Sequence, residues 1–110
     1  MVWKRGREFG LAIYRVTMTF PADERFGIIS QLRRAALSVS TNIVEGSKRA
    51  GTRDIAYFFN IAESSAAEAG HLLEFSRDLG YLQGADALPL LAEADALVAM
   101  LYRLRHRLKP

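Results

Sequence analysis

The sequence predicts an all-α protein: an antiparallel up-down-up-down four-helix bundle formed by a single domain over residues 1–110. Three observations carry that expectation. Apolar residues recur three and four positions apart through nearly the whole chain, the spacing that lines one face of a helix. The interruptions fall at Pro21, at Gly51 and between Gly80 and Gly84, dividing the chain into four helical stretches. No alternating β-branched run and no Asn-Gly or Asp-Gly hairpin signal occurs. Connections of about three to six residues make consecutive helices antiparallel neighbours, because so short a link cannot carry the chain to a helix's far end.

The first helix is expected over 3–19, on the spacing of Phe9, Ala12, Ile13, Val16 and Phe20. Pro21 ends it and suits the opening turn of the next, where a missing N–H costs nothing. The second helix is expected over 22–50, with Asp23 and Glu24 placing negative charge at its start. Its apolar stripe is Phe26, Ile29, Leu32, Ala36, Val39, Ile43 and Gly46, and Gly51 stops it. Thr52 reads as the N-cap of a third helix over 52–79, with Asp54 in its first turn. Gly80 supplies a left-handed cap, and Tyr81 is expected to fold back on Phe75. The fourth helix is expected over 86–108, with Pro89 in its first turn and a seam of Leu90, Ala94, Leu97, Leu101, Leu104 and Leu108. The second and third helices form the long pair, at about 26 residues or about 39 Å each.

Composition narrows the chemistry. The chain has no cysteine, which removes disulfides, thiolate metal sites and cysteine nucleophiles and fits a reducing cytosol. The longest apolar run is Ala96 to Tyr102, far short of the ~20 residues of a spanning helix. Residues 1–20 interleave Lys4, Arg5, Arg7, Glu8 and Arg15 with apolar positions, so no export signal or membrane insertion is expected. Charge is uneven within a net of +3: residues 1–53 carry +6 and residues 54–110 carry −3. A second basic cluster, Arg103, Arg105, Arg107 and Lys109, closes the chain. Such clusters attract polyanions through counterion release, and they also offset the macrodipole at a helix C-terminus.

If the second and third helices fold about Gly51, residue i lies level with roughly residue 102 − i. That places Asn42 near Asn60, Glu45 near Tyr57, Ser38 near Ser64 and Arg34 near Glu68. Each pair is chemically complementary, and we expect a polar ladder that fixes helix register.

Catalysis finds little support. His71 and His106 stand apart with no His-x-x-x-His or Glu-x-x-His arrangement, and Glu63, Glu68 and Glu74 lack the Glu-x-x-His partner of a di-iron bundle. No Gly-x-Ser-x-Gly elbow occurs, and Gly46 to Gly51 lacks the Gly-Lys-Ser/Thr ending of a phosphate loop. No catalytic residue, metal or cofactor is expected. The functional candidates are basic: Arg33 and Arg34 in mid-helix, with Lys48, Arg49 and Arg53 around the hairpin tip. Trp3, Tyr14 and Tyr102 could stack on bases, but their placement favours core or subunit contact.

The run Phe20-Pro21-Ala22-Asp23-Glu24-Arg25-Phe26-Gly27, followed by Ser30 to Ala36 and Ser38 to Gly46, resembles the proteins encoded within intervening sequences of bacterial 23S rRNA genes. Ile61 to Glu68 and Leu79-Gly80-Tyr81-Leu82 agree with that family's third helix and closing turn, although Ser64 stands where the family often has glycine. The resemblance implies a bacterial cytosolic four-helix bundle, commonly assembled as a homopentamer, and does not imply catalysis. A related group, the accessory variability proteins of diversity-generating retroelements, uses the same bundle with a basic surface toward nucleic acid. The sequence thus points to a homo-oligomer with RNA or DNA as the leading partner. A protein-binding adaptor or scaffold without a nucleic-acid role is the alternative.

Overall fold

The computed structural model describes residues 2–108 and contains four helices: α1 (Val2–Thr17), α2 (Ile28–Ser47), α3 (Thr52–Asp78) and α4 (Gly84–His106). They pack as sequential antiparallel neighbours, most extensively α2 on α3 and α3 on α4, and α1 closes the bundle with a sparser contact to α4. The result is a rod of 46 × 23 × 18 Å. Its core runs the full length. Phe9 and Ile13 of α1, Leu32, Val39 and Ile43 of α2, Ala62, Ala66 and Leu73 of α3, and Leu97 and Leu101 of α4 are all buried. Two of the buried hydroxyls bond within their own helices: Thr17 Oγ1 donates to the Ile13 carbonyl at 2.8 Å and Ser76 Oγ to that of Leu72 at 2.8 Å. Among the described residues no helix is long and apolar enough to cross a membrane.

The structure corrects the expected boundaries: α1 ends at Thr17 rather than 19, α2 at Ser47 rather than 50 and α4 at His106 rather than 108, and three further changes alter how helices begin. The second helix starts at Ile28 rather than 22, because Pro21 opens a single 3-10 turn (Ala22–Glu24) instead. Glu24 then turns its carboxylate onto the next helix, where Oε1 accepts the Ile28 N–H at 3.3 Å. Phe26 consequently lies in the connection and is 89% exposed, although its apolar character places it in the core stripe of a longer helix. Gly51, with extended φ −84° and ψ 139°, occupies the N-cap position of α3, so Thr52 is already helical. At the chain's other end α4 begins at Gly84. Pro89 falls in the second turn, where its ring nitrogen cannot donate to the Ala85 carbonyl. The long helices are therefore α3 (27 residues) and α4 (23), with α2 at 20.

The turn after α3 forms as expected, with one change of partner. Gly80 adopts φ +84°, the Gly80 N–H bonds the Arg77 carbonyl at 3.0 Å and the Tyr81 N–H bonds that of Ser76 at 3.0 Å, which is a Schellman motif. Tyr81 packs on Phe20, with ring centroids 5.7 Å apart, rather than on Phe75, which is half-exposed.

Candidate nucleic-acid interface

The hairpin of α2 and α3 carries the expected polar residues, but one residue out of the expected register. Ser38 Oγ meets Ser65 Oγ at 2.8 Å, not Ser64. Because one residue turns a helix by about 100°, Ser64 faces solvent instead. Asn42 turns its amide back along its own helix, donating to the Ser38 carbonyl at 2.9 Å and to Ser38 Oγ at 3.1 Å. Glu45 accepts from Arg49 Nη2 at 2.8 Å. Tyr57 is exposed with its ring edge-on to Phe58, and Asn60 and Glu68 are exposed. The four-rung ladder is thus replaced by one cross-helix serine pair with Asn42 stacked behind it.

The basic candidates divide in the same way between spent and free. Arg33 is committed to α1: Nε donates to Thr17 Oγ1 at 2.8 Å, Nη2 to the Tyr14 carbonyl at 3.2 Å, and the guanidinium lies 4.7 Å over the Tyr14 ring. Its cation therefore sits at the C-terminal end of α1, where the helix dipole favours it. Arg49 is held between Glu45 and the Phe58 ring, 4.8 Å away. Arg34, Lys48 and Arg53 are exposed and take part in no ion pair among the described residues.

Helix packing brings further cations to the hairpin tip. Gly6 of α1 lies against Ile43, Gly46 of α2 against Phe59, and Arg105 of α4 reaches Glu63 with Nε 3.1 Å from Oε1. The start of α1, the end of α2, the start of α3 and the end of α4 therefore share one end of the rod. Lys4, Arg7, Arg103 and Arg107 join Lys48 and Arg53 there, all exposed. Lys109, the last member of the C-terminal cluster, lies outside the described residues. Arg5 forms a two-pronged bond with Glu93, at 3.0 and 2.7 Å, that ties α1 to α4 and raises the Arg5 pKa through that hydrogen bond and charge. With this pair set aside as cancelling, residues 2–9, 39–63 and 98–108 carry a net +4, and residues 10–38 and 64–97 a net −2. The signal for this grouping was present in the antiparallel order of helices, which already assigns those four segments to one end. Among the described residues no group of three His, Cys, Asp or Glu side chains gathers closely enough to hold a metal.

Fold and charge placement together define a small helical-bundle protein with a basic end. The chain belongs to the 23S rRNA-intervening sequence protein family, whose family profile matches residues 1–103. Among solved structures it is similar to a protein of unknown function from the S23 ribosomal protein family of Bacteroides thetaiotaomicron VPI-5482. That match has a TM-score of 0.86 and 20% identity and covers 96% of this chain and 98% of that chain, which establishes a shared fold. No curated protein matches the chain.

Proposed function

We propose that this chain is a non-enzymatic, self-associating helical bundle of the cytoplasm that binds RNA or DNA through its basic end. The observation that supports it is the convergence of Lys4, Arg7, Lys48, Arg53, Arg103 and Arg107, contributed by or adjoining all four helices and none of them held in an ion pair among the described residues. Such cations neutralise phosphates and release their counterions, giving affinity without sequence preference. Arg33 and Arg49 act in this reading as struts, and Arg34 lies away from the basic end. Self-association repeats the end by symmetry, so weak contacts combine through avidity. Five copies is the number the family resemblance implies. The reading needs no cofactor and no catalytic group.

A protein-binding adaptor is the second reading, favoured by the exposed Phe26, Met18 and Leu37. Filter binding against duplex DNA and structured RNA separates the two. Affinity for duplex is expected to fall steeply between about 50 and 200 mM salt, with a logarithmic slope near −0.9 per phosphate contact. The double variant Lys48→Glu, Arg53→Glu should weaken binding on every sequence and flatten that slope. Binding that ignores both salt and the variant leaves the adaptor.

A further inference from the structure

Three large aromatic rings stand open at the basic end, one from each of three helices. Trp3 of α1 is 47% exposed, Tyr57 of α3 61% and Tyr102 of α4 50%, so neither Trp3 nor Tyr102 joins the core. Each has a cation beside it. Arg7 follows Trp3 by one helical turn and Arg53 precedes Tyr57 by one, which sets ring and cation on a shared face, and Arg103 directly follows Tyr102. The rings are also braced. His106 stacks on Tyr102 with centroids 3.9 Å apart, and Arg105, anchored on Glu63, lies 5.7 Å from the same centroid. Tyr57 meets Phe58 at 81°, an arrangement in which Phe58 leaves at least one Tyr57 face uncovered. A ring already held by its neighbours loses less freedom when a ligand stacks on it.

Cations draw a polyanion, and open π-faces distinguish between its forms. In a duplex the bases are paired and stacked on one another, so a protein ring at the surface meets sugar, phosphate and groove edges. On an unpaired strand the base faces are free to stack on Tyr or Trp. An apolar protein surface is a poorer fit, because reaching these rings would strip water from the unpaired cations around them. The acids of this end do little to offset those cations, since Glu45 and Glu63 are already occupied by Arg49 and Arg105. We infer that the basic end takes an unpaired strand of nucleic acid in preference to a duplex, with phosphates on its unpaired cations and bases stacked on Trp3, Tyr57 and Tyr102. The inference rests on the nucleic-acid reading proposed above and names the form of nucleic acid that this end holds.

Fluorescence anisotropy on the full chain tests it, with an oligo(dT) strand of about 15 nucleotides and the matching dA·dT duplex at one salt concentration. The strand should bind at least about tenfold tighter than the duplex. Tyr57→Ala and Tyr102→Ala should each weaken strand binding about fivefold or more and leave duplex binding within about twofold. Tyr102→Phe should retain strand binding, because it keeps the π-face and removes only the hydroxyl. Far-ultraviolet circular dichroism checks that each variant stays helical, and Trp3, the chain's only tryptophan, gives a readout that needs no variant. Its emission should be quenched more by saturating strand than by saturating duplex. Equal affinity for strand and duplex, or helical alanine variants that weaken both alike or neither, overturns the stacking and leaves the basic end as a phosphate-binding surface. Failure of the wild type to bind either probe at low salt overturns the nucleic-acid reading itself.

Discussion

Tyr81 links three parts of the chain from one position. Its N–H closes the turn after α3, its ring packs on Phe20 after α1, and its hydroxyl donates to Glu24 Oε2 at 2.8 Å before α2. The hydrogen bond to Glu24, helped by desolvation and nearby negative charge, raises the phenol's pKa above 10.0. A raised pKa favours the protonated form in the fold, so the stabilisation is complete below the unfolded value and is lost as pH climbs through the folded one. Tyr81→Phe should therefore lower the melting temperature at neutral pH, and the gap from wild type should narrow above about pH 10. A gap unchanged across that range would show that the phenol contributes only through its ring. Phe26 marks the limit of reading single residues. Its apolar character suits the stripe of a helix, and only the 3-10 turn formed after Pro21, with Glu24 accepting the first N–H of α2, turns it into solvent.

Between elements, Gly46 sets how closely α2 and α3 approach. A Cβ there would lie 2.8 Å from two carbons of the buried Phe59 ring and 3.2 Å from Phe58 Cβ, with little room for either to yield. Gly46→Ala should gain up to about 1 kcal/mol of helix propensity and lose about 1–3 kcal/mol to overpacking, a net destabilisation. Gly84→Ala provides the contrast, because nothing lies within 4 Å of its added methyl. Thermal melts of the two should move in opposite directions. The spacing of apolar residues was sufficient to reveal the number, order and direction of the helices. Their register was harder to read, because a hairpin mirrored about Gly51 places Ser38 one residue from its true partner and one residue rotates a helix from interface to solvent. The start of α2 was obscured because Pro21 suits a 3-10 turn as well as the first turn of a longer helix.

At the scale of the whole molecule, the candidate surface was legible as charge and hidden as geometry. Arg103 and Arg107 are fifty residues or more from Lys48 and Arg53 in sequence, and only the up-down order of the rods brings them to one end. The +4 and −2 halves give each rod a permanent electric polarity along its 46 Å length. Rods gathered side by side with the same end up would crowd cations onto a single rim, a mutual repulsion that dissolved ions relieve. Salt should then have opposite effects on two properties of the same particle, easing the crowding that opposes assembly at the rim while loosening the hold on a polyanion. A bound polyanion would itself neutralise the rim, so occupancy and assembly would reinforce one another, and light scattering with and without nucleic acid at low ionic strength would reveal that coupling.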